Sequence, residues 1–307
     1  MTLIQKKADK VPVFVRPRVR RSRARQSFAR RVLKFTIALL RWVLMIAYAC
    51  FSLVPLIWML VSSFSTNAEI FGNSLPFSWR AFVPRTLTLS GYDSLASVGF
   101  YRAVGNTFLV SFIVVFGGLL VNSLAGYSFA MFHFRAKGLL FGLVMLTMAL
   151  PPDVMAIPLY TVVYNFGWIG TLPALIFPVI ANGFAIFLCR QAVLGIPRSL
   201  IDAARVDGMG WGRIYARIAL PLTRGALIGA GLILMIGVWQ SFLWPLLVGT
   251  TGATDLIQVA LAYFQGQYTT NWDGIFAGSV LAVAMPTTIL AVMQRYFRPT
   301  LSTSGGK

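Results

Sequence analysis

I-P-R-S-L-I-D-A-A-R-V-D-G-M-G-W-G-R-I-Y-A-R-I-A-L-P-L, residues 196–222, is a polar island between two long apolar runs. Pro197 suits the turn before a helix, Ser199 is placed to cap it, and Asp202 three residues on completes an S-x-x-D capping box. The pattern predicts a short helix from about Leu200 to Val206. Gly208 and Gly210 supply the backbone freedom that ends it. A second short helix is expected from Trp211 to Ala219, until Pro221 interrupts. The island reads as helix, glycine elbow, helix.

On the first helix Leu200, Ala203, Ala204 and Asp207 fall at i, i+3, i+4 and i+7, a smooth face of small side chains. Arg198 and Arg205 project elsewhere. Such a face suits either the groove of another protein or the headgroup layer of a membrane. Helix chemistry alone leaves both open.

What surrounds the island follows from composition. With 57% apolar and only 11% charged residues, the chain reads as an all-α polytopic membrane protein. Six apolar stretches are long enough to cross the hydrocarbon core, at about 36–61, 103–130, 139–164, 172–192, 225–248 and 275–296. They leave a basic tail over 1–35 and a short polar tail over 299–307. The net charge is +19, and nearly half of the 27 Lys and Arg residues lie in the first 34 positions. No aromatic platform or folded reader accompanies them, which argues against nucleic acid. The tail reads instead as unstructured and held near anionic lipid. Ala47-Tyr48-Ala49 has the form of a signal cleavage site, but the apolar run continues to Val61, so the segment is expected to stay as the first span. The loop over 249–273 has no Lys or Arg, whereas the island carries Arg198, Arg205, Arg213 and Arg217. That asymmetry places the island, and with it both termini, on the cytosolic side.

Several polar residues fall inside the spans. Asn106, Asn122 and Ser123 must find partners within the bundle, because lipid offers none. In L-P-P-D-V-M-A-I-P-L-Y, residues 150–160, the prolines should break or bend the helix. Asp153 then either lines a pathway, as an intramembrane carboxylate does by default, or caps the segment after the break. Asn182 lies in the fourth stretch. In G-V-W-Q-S-F-L-W-P-L-L-V, residues 237–248, Trp239, Gln240 and Trp244 offer aromatic faces and an amide suited to sugar rings and hydroxyls, or else simply pack. Cys50 and Cys189 have no Cys or His neighbour at metal spacing, and the single histidine, His133, stands beside Arg135 and Lys137. The chain has no G-x-x-x-x-G-K-[ST] loop for ATP, no set of intramembrane carboxylates as in ion-coupled carriers, and no converging groups of an enzyme.

D-A-A-R-V-D-G followed by I-A-L-P resembles the E-A-A-x-x-D-G…I-x-L-P cytoplasmic motif of ABC-importer permeases, with Asp202 keeping the charge of the usual Glu. G-Y-S-F-A-M-F-H-F-R-A-K-G (126–138), the W-Q-S-F-L-W-P run and L-A-Y-F-Q-G-Q-Y-T-T-N-W (261–272) resemble the sugar-importing branch of that family, the maltose-transporter-type second permeases. The resemblance implies a type I ABC importer fold. It implies a coupling helix docked on an ATPase subunit through Leu200, Asp202, Ala203, Ala204, Asp207 and Gly208. It further implies a second homologous permease, two ATP-binding subunits that hold ATP and Mg, and an extracytoplasmic solute-binding protein over the segment 62–102. The chain itself would carry no cofactor and would sit in a bacterial inner membrane. An ion-coupled secondary transporter is the competing reading.

Overall fold

The computed structural model describes residues 21–72, 79–249, 252–266 and 270–294, without the side chains of 21–32. Residues 16–20 of the basic run, Pro76 and the 299–307 tail lie outside them. Among the described residues every regular element is helical, apart from one isolated antiparallel bridge between Gln265 and Thr270. The chain divides into two units, Met1–Leu56 and Ile57–Lys307.

The first unit holds most of helix α1 (Arg21–Ser62). The sequence predicts an unstructured tail up to residue 35, yet residues 21–34 are already helical. Arg and Ala are good helix formers, and no Gly or Pro interrupts that stretch. The segment Leu33–Ser62 has a mean hydropathy of 2.3 and is long enough to cross a membrane.

In the second unit α4 (Phe100–Met131) is the central span. It packs against α7 (Leu172–Ile180), α8 (Gly183–Leu194) and α12 (Arg224–Gln240). Small residues let the backbones approach, as is usual between membrane helices. A Cβ on Gly126 would stand 2.7 Å from Cys189 Cβ and 2.8 Å from the Arg190 nitrogen, so α4 and α8 cross only because that side chain is absent. Val110, Val114, Leu175, Leu234 and Val238 fill the core between these helices.

Among the described residues three helices are long and apolar enough to cross a membrane, and counting each of three bent pairs as one span brings the crossings to six. The sharpest of the bends lies at a proline pair. Helix α5 (Lys137–Ala149) meets α6 (Pro152–Asn165) at 111°, so the stretch expected as one span over 139–164 is sharply broken. Pro151 and Pro152 offer no backbone N–H and push the residue before them out of helical geometry. Helices α7 and α8 meet at 40° around Ala181 and Asn182. After α9 (Arg198–Val206) comes the segment Trp211–Leu222, made of α10 (Trp211–Ile214), a π-helical turn over Tyr215–Ala219 and α11 (Leu220–Leu222), which meets α12 at 81°. Past α12 the chain breaks again at Ser241 and Phe242 before α13 (Leu243–Val248).

At the opposite end α2 (Asn67–Gly72), α3 (Ser90–Ser97) and α14 (Ile257–Ala262) pack on α15 (Trp272–Met293), α3 and α14 also reach α4, and a 3-10 turn over Trp79–Phe82 packs on α2. Asn67 Oδ1 accepts from the backbone N–H of Trp272 at 2.8 Å and of Asp273 at 3.1 Å. Ser90 Oγ donates to Asp273 Oδ2 at 2.9 Å. Asn106 meets its expected need for partners by donating to the carbonyls of Ala253 and Asp255, at 2.8 and 3.1 Å.

Candidate functional site

The polar island folds as helix, elbow and helix, with three differences from the pattern. Helix α9 begins at Arg198, with Pro197 as its N-cap at φ −56°, and no side chain caps it. Ser199 lies inside the first turn, so the expected capping box does not form. Proline's fixed φ already sets the start of the helix, which puts the serine beyond the cap position. The second difference is the face. Ile201 and Ala204 are buried against Tyr127, Ala130, Val193 and Ile214, while Leu200, Asp202, Ala203 and Asp207 are exposed. Ala204 therefore turns inward, away from the other small residues, because Ile201 three positions earlier sets the apolar stripe. Val206 stands out at 88% exposure.

Gly208 closes the helix at φ +77°, in the left-handed region that disfavours any Cβ, although no atom would block one. Its N–H donates to the Arg205 carbonyl at 3.1 Å, and that of Met209 donates to Ala204 at 2.9 Å. Gly210 has an ordinary φ of −72°. Arg205 spans the elbow, donating from Nη1 to the Met209 carbonyl at 3.0 Å and lying 4.8 Å over the Trp211 ring.

The third difference is the second helix. It changes from α to π at Tyr215 and runs through Pro221, which sits in the first turn of α11. This stretch is tied to α4 twice. Tyr127 Oη donates to the Trp211 carbonyl at 3.1 Å, and the Tyr215 hydroxyl shares a 2.7 Å hydrogen bond with Ser123 Oγ. The two tyrosine rings lie 5.2 Å apart, and Phe132 stands edge-on to Trp211, also at 5.2 Å.

One residue before Ser123 on α4, Asn122 is fully buried and holds both lips of the α7–α8 break. Its Nδ2 donates to the Ile180 carbonyl at 2.9 Å and to Gly118 at 2.7 Å, and its Oδ1 accepts from the Asn182 N–H at 2.9 Å. The expectation that Asn122 and Ser123 must find bundle partners locates this contact; Tyr127 and Tyr215 carried no signal beyond aromatic patterning.

Of the other pathway residues, three have their polar groups engaged within the protein. Asn182 Oδ1 caps α8 at the Ala185 N–H, 3.0 Å away. The buried Trp239 indole donates to the Ala282 carbonyl at 2.8 Å, and Trp244 donates to Ala174 at 3.0 Å. Asp153 is exposed in the first turn of α6, directly after the Pro151–Pro152 break, and Gln240 is exposed as the last residue of α12. Both stand beside broken helices. At 1.5 Å per residue, α5, α8 and α12 are about 20, 18 and 26 Å long between the break and the other end. Among the described residues no three His, Cys, Asp or Glu side chains gather as a metal centre.

Residues 118–303 match the family described as the binding-protein-dependent transport system inner membrane component. The arabinooligosaccharides transport system permease protein AraQ of Halalkalibacterium halodurans is 31% identical over 277 residues, 89% of this chain and 98% of the relative. The sn-glycerol-3-phosphate transport system permease protein UgpE of Rhizobium meliloti is 30% identical, covering 79% of this chain and 88% of its own length. The lactose transport system permease protein LacG of Rhizobium radiobacter is 29% identical, covering 81% and 89%. In fold, the chain is similar to one of a bacterial ABC transporter involved in the import of the acidic polysaccharide alginate, with a TM-score of 0.73 at 19% identity, covering 85% of this chain and 96% of that one.

Proposed function

Because the chain belongs to the family of binding-protein-dependent transport system inner membrane components, we propose that it forms half of a membrane pathway for a sugar or sugar-like solute and is driven from its hairpin. A second permease of the same kind completes the pathway. Two separate subunits bind Mg and ATP, and an extracytoplasmic solute-binding protein delivers the solute to the end formed by α2, α3 and α14. The hairpin and both termini face the cytosol, in keeping with the arginines of the island and the lack of Lys and Arg over 249–273.

The observation that carries this reading is the exposed face of α9. Leu200, Ala203 and Val206 present small and apolar groups, and Asp202 and Asp207 flank them with charge. A groove on an ATPase subunit would accept the apolar ridge and pair the carboxylates. Ala204 supports that face from beneath, and Gly208 fixes the angle at which it is offered. At the helix breaks Asp153 and Gln240 remain open to a solute's hydroxyls, whereas Asn182, Trp239 and Trp244 shape the wall.

Copurification from membranes followed by reconstitution tests the proposal. An ATP-binding subunit and a second permease should accompany the chain, and one of arabinooligosaccharides, lactose or sn-glycerol-3-phosphate should accelerate ATP turnover when its binding protein is supplied. A chain that accumulates solute unaided on an ion gradient would return the reading to the secondary carrier, which the family membership does not favour.

A further inference from the structure

We propose that Tyr127 and Tyr215 are positioning residues that yoke the hairpin to α4, and that Asn122 on α4 carries the hairpin's movement to the break between α7 and α8. This rests on the reading of the hairpin as the place where an ATPase subunit acts. The two clasps are reciprocal. Tyr127 of α4 reaches the Trp211 carbonyl, and Tyr215, four residues beyond Trp211, reaches Ser123, four residues before Tyr127. Spacing of four on both sides puts the contacts one above the other on facing helical surfaces. Two bonds so placed resist rotation as well as separation, which a single bond would not.

The α4 side of each clasp is shielded from water: Tyr127 and Ser123 are 3% and 5% exposed, whereas Tyr215 is half-buried and Trp211 lies at the surface. Arg205 extends the clasp across the elbow by stacking on Trp211 and holding Met209. A push on α9 therefore arrives at Trp211, and through it at α4, rather than being absorbed at Gly208. The π-turn begins at Tyr215 itself, and such turns are frequent at functional sites because the extra residue re-aims a side chain.

From Ser123 the next residue back is Asn122. Its amide is the side chain that bonds both Ile180 and Asn182, across a break where the helix ladder is interrupted. Movement of α4 along or about its axis must either carry both lips of the break with it or rupture a bond to one of them. Asn182 in turn caps α8, so a change at Asn122 reaches the first amides of that helix. The hairpin and a mid-membrane break are thereby joined through four side chains, Tyr127, Tyr215, Ser123 and Asn122, and no long-range field is needed.

The test is amide hydrogen exchange at the α8 start, residues 183–186, in the transporter purified with its ATPase subunits, with and without Mg-ATP. The wild type should show a nucleotide-dependent change there. Tyr215→Phe and Ser123→Ala, which remove a hydroxyl and keep the packing, should each shrink that change about fivefold, the scale of one net hydrogen bond. The double variant should be no worse than Ser123→Ala alone, because that change already removes the bond lost in Tyr215→Phe; what it removes besides, the donation from Ser123 Oγ to the Leu119 carbonyl, lies within α4. A structural role alone would alter exchange equally in both nucleotide states and leave their difference intact. Asp202→Lys serves as the control for the underlying reading. If it abolishes the nucleotide-dependent change while a Tyr127→Phe, Tyr215→Phe double variant retains it at full size, the yoke is wrong and the coupling reading stands. If Asp202→Lys itself has no effect, or the wild type shows no change at α8, the yoke falls with its premise.

Discussion

Asn122 meets three backbone groups with one amide, and two of them belong to a neighbouring helix that has lost its own ladder at that point. Replacing it with leucine, close in size, would strand the Ile180 carbonyl and the Asn182 N–H in the bundle. Asn122→Leu is expected to cost about 3 kcal/mol of stability, read as a lower unfolding midpoint of the detergent-purified protein; an unchanged midpoint would sink the account of the break. A second residue-scale prediction concerns Tyr263, at the end opposite the hairpin, which donates to Asp255 Oδ2 at 2.8 Å. Burial first, then the hydrogen bond to Asp255 and the charge of that carboxylate, push the phenol above its ordinary value of 10.0. With the folded value raised, the contribution to stability is complete below pH 10.0 and is lost as pH climbs through the folded value. Tyr263→Phe should therefore lose less stability than the wild type as pH rises above 10.0, as followed by thermal unfolding.

At the scale of elements, the hairpin depends on one left-handed residue. Proline is locked near φ −65° and cannot take the +77° of Gly208, so Gly208→Pro should remove solute-stimulated ATP turnover about tenfold or more while the chain still inserts. Asparagine visits the left-handed region more readily than other side chains, and Gly208→Asn should retain most of the activity. Equal activity in the proline and glycine forms would show that the elbow angle does not matter. This element was legible in the sequence because it rests on local chemistry: a proline before the helix, a glycine after it, polar groups between apolar runs. Its inward face was not, since Ile201 and Ala204 are set by what α4 and α8 present to them. The breaks were legible at Pro151–Pro152, where the residue type itself forbids continuation. The 111° angle there, and the capping of α8 by Asn182, depend on neighbours far along the chain and leave no mark on spacing. The helical start of α1 was masked by charge: a run of arginines reads as solvated chain, although arginine is a good helix former.

For the whole molecule, the charge asymmetry gives a direct measurement. In sealed right-side-out membrane vesicles of a Cys50→Ser, Cys189→Ser background, a cysteine at Leu87 should react with an impermeant maleimide and one at Ala203 should not until the vesicles are opened. The opposite pattern would overturn the proposed orientation and, with it, any contact between α9 and a cytosolic motor. The π-helical turn over Tyr215–Ala219 has a consequence for how such a chain can change through time. A π-turn holds one residue more than the α-helix it interrupts, so deleting a single residue there would heal the ladder. Because the extra residue is absorbed within that one turn, the same deletion would leave the flanking helices near their present phase and act locally, shifting the Tyr215 hydroxyl away from Ser123. Local tidiness and correct aim thus exclude each other at this position, and an indel at 215–219 should be far less tolerated than one in the loops on either side of α14.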